Sequence, residues 1–585
     1  MHKKHTDQPL NLPWMILCSV LVGVVAGIGA LLFRMMIGFV HNLLFLGKID
    51  FQYNANAFMP ASHWGFVIIF IPVLGAVAVT WLVKNFAPEA KGHGVPEVMD
   101  AIYNKSGIIR PSVAIVKALA SAISIGSGGS VGREGPIAQI GSAFASTLGQ
   151  IIKMPARQRV VLIAAGASAG IAATFNAPVG GLTFAIELML VSISATTVAL
   201  VVFATVTATY IGRLFLGLYP AFNISSLMAP DWHVSNYRLL VLFIPFGIIC
   251  GFASALMIRA IYWAEDFFDN AFKNPYLRHM TGMFLLGITM YCFMLFSGHY
   301  YVSGVGYAGI VSVLQNTLSN PWFLLVLFFG KLFVTSLTLG SGASGGVFSP
   351  SLFLGATLGG AFGGFAHMLF PGLPISQPLF AIAGMAALVG GSTGAVLTGI
   401  VMVFELTRDY NAILPVMLSV GLAYGMRTLL SRESIYTLKL IRRGATVPAG
   451  LQAALMATRT AFAAMSKEFR VVKLQDLLSG MVSAEIDGYT LVESDGIVLG
   501  LLRSNYIMMG VTPTKENIDD MVDTNFVTVK MQQQWVKILR AINQYRYSVI
   551  IVSKHPGSSL AKDIVGVITL KEIAQAAGRT AKLLD

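Results

Sequence analysis

The sequence predicts an all-α polytopic membrane domain built as two repeats and followed by a smaller cytoplasmic α/β domain. Composition is the first reason: of 585 residues, 55% are hydrophobic and only 11% charged, with a mean hydropathy of +0.71, too apolar for a soluble chain of this size. A repeat is the second. Gly126-Ser-Gly-Gly-Ser-Val-Gly132-Arg133-Glu134-Gly-Pro136 returns 214 positions later as Gly340-Ser-Gly-Ala-Ser-Gly-Gly346-Val347-Phe348-Ser-Pro350. The third is a change of composition after Arg443, where apolar spans give way to short β-like runs.

The elements follow in order. Residues 1–12 form a short cytoplasmic N-terminus, and residues 13–444 the membrane domain. Apolar stretches run over 13–45, 64–84, 112–125, 159–175, 178–217, 238–264, 280–297, 322–340, 351–370, 378–407 and 411–430. Several fall short of the roughly 20 residues of a simple span, which predicts tilted or re-entrant helices. The first stretch is too long for a signal peptide and reads as a retained helix. The net charge of +13 does not indicate nucleic acid, because Lys3, Lys4, Lys153, Arg157, Arg159, Arg427, Arg432, Arg442 and Arg443 cluster near span ends. That pattern places both termini in the cytoplasm, with a plasma or inner membrane expected. Cys18, Cys250 and Cys292 lie in apolar stretches without metal-ligand spacing, so no metal is expected.

The repeat extends beyond the glycine motif. Ile163-Ala-Ala-Gly166 through Glu187-Leu188 matches Ile382-Ala-Gly384 through Glu405-Leu406 when Gly166 is set on Gly384. Two homologous halves result, about 60–230 and 280–430, of the kind that packs around a midplane site. A glycine-broken helix start inside an apolar chain is a device for anions. Backbone N–H groups at a helix N-terminus supply about half a positive charge, enough to bind an anion reversibly. Glycine admits close approach, and proline in the first turn removes no needed donor.

A third element of this type is Lys91-Gly92-His93-Gly94-Val95-Pro96-Glu97, and Tyr436 follows the last span. The ordered set of three glycine-proline elements and Tyr436 resembles the CLC family of chloride channels and proton-coupled chloride exchangers over residues 10–445. The resemblance implies about 17 or 18 helices and a homodimer with one pathway per subunit. It also implies chloride as the transported ion and a central site lined by the Gly92-His93-Gly94 loop, the amides of Val347 and Phe348 and the Tyr436 hydroxyl. Glu134 would be the gate: ionised it competes with chloride, protonated it opens. Arg133 reads as structural, bonding helix-end carbonyls; Gly132, Pro136, Gly346 and Pro350 shape the helix starts. Glu187 and Glu405 read as groups that bond backbone or loops.

Two positions depart from the family pattern. His93 stands where many members have a serine that bonds the anion, and either its imidazole or only the loop amides face the ion. Leu188 fills the position at which familiar exchangers carry a second, proton-accepting glutamate. Leucine relays no proton, so the expectation leans to a proton-gated chloride channel, with proton-coupled antiport as the alternative. Two rivals from other classes are an organic-anion transporter and an intramembrane serine protease built on Ser344 and His367. The small, glycine-lined site with few polar side chains argues for a small inorganic anion and against the first. The repeat partner Ser130 argues against the second, and no enzymatic activity is expected.

Residues 445–585 read as a regulatory tail: a helical stretch over Leu451–Met465, then two β-rich units around Asp495–Gly500 and Lys562–Thr569. This resembles a tandem pair of cystathionine-β-synthase-type modules, the second matching better, with a helix to Gln544. By that resemblance Thr569 and Glu572 would hold the ribose of an adenine nucleotide, whereas Arg503 and Tyr506 occupy the corresponding places in the first unit.

Overall fold

The computed structural model describes residues 9–217, 222, 237–408, 412–445, 460–479, 488–503, 506, 511–533, 535, 538, 542, 547–555 and 557–573. The chain divides into two compact units, Met1–Val447 and Pro448–Asp585.

Seventeen α-helices make up the described part of the first unit. The first half holds α1 (Leu12–Leu46), α2 (Ile71–Phe86), α3 (Val95–Asn104), α4 (Pro111–Gly126), α5 (Glu134–Ile151), α6 (Ala156–Phe175), α7 (Pro178–Phe184, prolonged by a π turn over Ala185–Met189) and α8 (Ala195–Leu216). The second holds α9 (Tyr237–Ala271), α10 (Pro275–Ser297), α11 (Tyr307–Leu314), α12 (Pro321–Ser341), α13 (Phe348–Leu369), α14 (Gln377–Thr393), α15 (Val396–Thr407), α16 (Ile413–Leu430) and α17 (Ile435–Arg442). Among the described residues, nine helices are long and apolar enough to cross a membrane, while α4, α14, α15 and the Pro178–Met189 helix are shorter.

Helix starts are written locally. Asn274-Pro275 opens α10 and Asn320-Pro321 opens α12, the asparagine side chain accepting from the Tyr276 N–H at 2.9 Å and the Trp322 N–H at 3.0 Å. Proline at the first helical position gives up a donor that would have been orphaned. Ser434 and Thr437 form a capping box that fixes the start of α17.

Glycines set the packing. At Gly141 of α5 and Gly166 of α6 each backbone lies against the other's carbonyl, and Gly355 of α13 meets Gly384 of α14 in the same way. A methyl group at any of the four would collide with backbone, so these crossings exist only with glycine, as expected where helices associate through close backbone contact. The alignment of Gly166 with Gly384 thus describes equivalent crossings in the two halves.

The two halves pair reciprocally at their glycine motifs. Gly132 and Gly346, equivalent positions, form an antiparallel bridge in which each N–H donates to the other's carbonyl, at 2.7 and 2.6 Å. Helices α5 and α13 each begin two residues beyond that bridge, at Glu134 and Phe348.

In the second unit, β1 (Phe469–Lys473), β2 (Tyr489–Ser494), β3 (Ile497–Leu502) and β4 (Val522–Asp523) form one sheet in that order, and β5 (Phe526–Lys530), β6 (Val549–Ser553) and β7 (Ile564–Ile568) another. Each begins with a parallel pair and continues with an antiparallel one that carries an irregularity, at Val492/Glu493 and at Val552/Ser553. The first three strands of one sheet and the three of the other therefore share one pattern, which fits the tandem regulatory modules the sequence resembles. The expected helix over Leu451–Met465 lies mostly outside the described residues, with a single turn at Ala461–Ala464; most of the helix before Gln544 also lies outside them.

Candidate functional site: helix starts converging on a buried carboxylate

Three glycine loops are stitched together where α3, α5 and α13 begin. Gly92 forms a parallel bridge with Ser344, beside the antiparallel one between Gly132 and Gly346; the Gly92 N–H donates to the Ala343 carbonyl at 3.0 Å and the Gly345 N–H to the Gly92 carbonyl at 3.2 Å. Gly94, the residue before α3, has φ +83° and packs so closely on Gly135 that an added Cβ would stand 2.7 Å from the Gly135 carbonyl oxygen. The left-handed backbone and the contact both require glycine. Pro136 and Pro350 occupy the first turns of α5 and α13.

Glu134 is the first residue of α5 and is 2% exposed. Its carboxylate lies across the start of α13. The Ser349 N–H donates to Oε2 at 3.4 Å and the Tyr307 hydroxyl to Oε1 at 2.7 Å, while the Ser349 hydroxyl also donates to Oε1. Tyr307 and Ser349 are themselves 2.8 Å apart. The side chain thus takes the place an anion would take at a helix N-terminus, with partial positive charge and convergent donors around it. Val347 and Phe348 are buried at the same helix start, and the Phe348 ring lies 5.4 Å from that of Phe175.

Arg133 makes no ion pair with Glu134. Its Nη2 donates to the Thr174 carbonyl at 3.4 Å, near the end of α6, and its guanidinium covers the Tyr307 ring at 5.2 Å. Its Nε is buried without a partner among the described residues. Tyr436, 2% exposed, stands in the first turn of α17, within electrostatic reach of Glu134. His93 is buried, with its ring edge-on to Tyr262 at 6.3 Å; the Tyr262 hydroxyl donates to the Ile435 carbonyl at 2.6 Å, linking the Gly92–Gly94 loop to α17.

Leu188 is buried in the π turn that ends the Pro178–Met189 helix. Its neighbour Glu187 accepts from the Leu397 N–H at 2.8 Å and from the Thr398 N–H and hydroxyl at 2.7 Å, capping α15. Glu405 returns the arrangement, accepting from the Val179 N–H at 3.1 Å and the Gly180 N–H at 2.6 Å at the start of α7. Ser344, the protease candidate, donates to the Ala90 carbonyl at 2.7 Å and meets Ser121 at 2.8 Å. His367 is in the last turn of α13, roughly 30 Å further along the helix at 1.5 Å per residue, so no Ser-His pair is assembled.

Sequence reasoning missed several residues. Tyr307 follows Gly304-Val-Gly306, which repeats Gly92-His-Gly94 at an offset of 212; Gly94 and Gly306 both precede short helices with positive φ. Lys117 and Lys331, 214 positions apart, are fully buried. Lys117 Nζ donates to the carbonyls of Ala90 (3.0 Å) and Gly92 (2.7 Å), and Lys331 Nζ to those of Val302 (3.0 Å) and Gly304 (2.7 Å). A lysine in each copy of an apolar stretch was the available signal.

In the tail, Thr569 and Glu572 are engaged with each other and with Tyr489. The Thr569 hydroxyl donates to Glu572 at 2.6 Å, and the Tyr489 hydroxyl lies 2.7 Å from both carboxylate oxygens. Burial, and then the facing Glu572 carboxylate, push the Tyr489 phenol up to about 12, with Thr569 opposing.

Comparison with known proteins agrees with this geometry. The family described as voltage gated chloride channel matches residues 75–428. An H(+)/Cl(−) exchange transporter, ClcA, of Vibrio cholerae serotype O1 is 33% identical over 430 residues, covering 72% of this chain and 88% of the relative. The crystal structure of a slow cyanobacterial Cl−/H+ antiporter is similar with a TM-score of 0.64 at 28% identity, over 74% of this chain and 98% of that one. A eukaryotic CLC transporter shares the fold at 18% identity, TM-score 0.63, over 96% of this chain and 98% of that one.

Proposed function

The chain belongs to the voltage gated chloride channel family, a family of multi-pass membrane chloride transporters, and on that premise we propose that it exchanges chloride for protons, with Glu134 as the shared gate. The observation that carries this reading is the position of the Glu134 carboxylate on the N-terminus of α13, held by Ser349 and Tyr307. Chloride and the carboxylate compete for one set of donors. Protonation removes the charge that the helix start attracts, the side chain yields its place, and the proton leaves with it as chloride enters. Each departure of the gate thereby moves a proton as well as an anion.

This reading departs from the channel expected from Leu188. The relatives above named as exchangers favour coupling, and the buried Leu188 requires only that protons reach Glu134 by water rather than by a carboxylate at that position. Glu187, with both oxygens engaged by the start of α15, takes no part in the relay. We further propose a homodimer with one pathway per subunit, both termini cytoplasmic, and no enzymatic activity. An adenine nucleotide on the tail would have to displace the Tyr489 hydroxyl from Thr569 and Glu572.

The test is the reversal potential of the purified protein in vesicles under opposed chloride and proton gradients. Exchange predicts a reversal that moves with pH, and Glu134→Gln conducts chloride with no proton coupling. A reversal fixed at the chloride equilibrium potential would return the protein to the channel class.

A further inference from the structure

Among the described residues of the membrane unit Lys439 is the third buried lysine, and it differs from the other two. Lys117 and Lys331 spend their donors on loop carbonyls. Among the described residues Lys439, 6% exposed, makes no side-chain hydrogen bond or ion pair, and unlike His93 Nδ1 its Nζ is not fully enclosed. An ammonium left unpaired by the protein and still reachable at its tip is open to an anion or a polar ligand.

Its position says which ligand. Lys439 is three residues after Tyr436, on the same face of α17. Its Nζ is packed directly against Gly92: a Cβ added there would collide with Nζ and stand 3.7 Å from Cε. Any side chain at Gly92 would displace the ammonium, so the glycine serves the lysine as well as the turn. His93 is within electrostatic reach of the same charge and carries a buried Nδ1 without a partner. The loop, Tyr436 and Lys439 thus present convergent donors at the end of the α3 helix start.

We propose that Lys439 is a direct anion ligand, its ammonium holding a small inorganic monoanion, chloride in the first instance, against the Gly92–Gly94 loop. The proposal rests on the transport reading above and adds to it the residue that sets affinity at this end of the pathway. A full charge beside a conduction site would ordinarily hold the ion too long. Such a site favours tight binding over fast release, so Lys439→Met should weaken chloride binding and raise the chloride concentration at which flux saturates.

The experiment is chloride titration calorimetry on the purified full-length protein, wild type against K439M and K439R, paired with chloride flux in vesicles at varied chloride. We expect chloride to bind K439M about tenfold more weakly, the worth of one hydrogen bond to a charged group. K439R, which keeps the charge, should stay within about threefold, and K439M flux should saturate at higher chloride. A monodisperse K439M that binds chloride as tightly as the wild type overturns the proposal. Should K439M not fold, bromide-soaked wild-type crystals decide: anomalous density within about 3.5 Å of Nζ supports the site, and bromide found only elsewhere overturns it. Loss of proton coupling in the wild type would sink the exchange reading while leaving the binding comparison intact.

Discussion

The two halves of the membrane unit are the same frame carrying different chemistry. Lys117 and Lys331 each tie down a glycine loop, Glu187 and Glu405 each cap a helix in the opposite half, and Ser121 meets Ser344 at 2.8 Å as Ser130 meets Thr335 at 2.9 Å. Where the halves match, the residue holds the scaffold. Where they differ, it works: Arg133-Glu134 faces Val347-Phe348, and His93 and Tyr307 stand on or beside corresponding loops. A carboxylate on one side alone turns a symmetric pair of helix starts into a gate, because only one of the two anion seats has a competitor built into it.

The largest expected effect tests that asymmetry. Glu134→Gln should abolish proton coupling altogether in vesicle flux, whereas Glu405→Gln should leave the coupling ratio as it is. Equal losses from both would break the division between frame and gate.

Next come the buried lysines. Lys117→Met and Lys331→Met each strip two buried carbonyls of their donor and should each destabilise the protein by about 2–3 kcal/mol, read as a fall in melting temperature in detergent. Equal penalties sharpen the comparison. A Lys117 penalty alone would mean that only the first half's loop depends on its lysine.

Glu187→Gln and Glu405→Gln should each cost about 1 kcal/mol, the value of a carboxylate accepting from helix N-terminal amides. Denaturation midpoints check the pair, and the unchanged coupling of Glu187→Gln checks that this residue caps a helix rather than carrying protons.

The smallest effect concerns the tail. Tyr489→Phe removes the hydroxyl that joins Thr569 and Glu572 and should cost about 1 kcal/mol, seen as faster amide exchange in the second sheet of the full-length chain. The raised phenol gives the pH sense. Its contribution is intact below the ordinary tyrosine range near 10, and is lost as pH rises toward about 12. The wild-type advantage over Tyr489→Phe should therefore vanish across that alkaline window.

Much of this was legible in the chain. Glycine and proline punctuate helix starts whatever surrounds them, so the loops at Gly92, Gly132 and Gly346 could be read without coordinates. The internal repeat reached beyond them because two copies of one frame preserve the same packing glycines, as at Gly166 and Gly384. Tyr307 was not legible as a ligand of the gate: its motif is a bare Gly-x-Gly without a proline, and its target is 173 positions away. Lys439 was hidden because three lysines in apolar context look alike until their donors are counted.

The sequence by itself determined the class of protein, the existence of two halves, where the broken helices begin and which carboxylate stands at one of them. Those properties depend on composition and on local backbone preference. Only the tertiary structure decided that the halves pair through Gly132 and Gly346, that Glu134 occupies the start of α13, that Glu187 and Glu405 are reciprocal caps, and that among the described residues Lys439 alone of three buried lysines makes no bond to a loop carbonyl. Each is a contact between residues far apart in the chain, fixed by how helices cross. One strand of sequence constrains its own turns, but only the packed assembly determines which N–H, carboxylate or ammonium stands opposite.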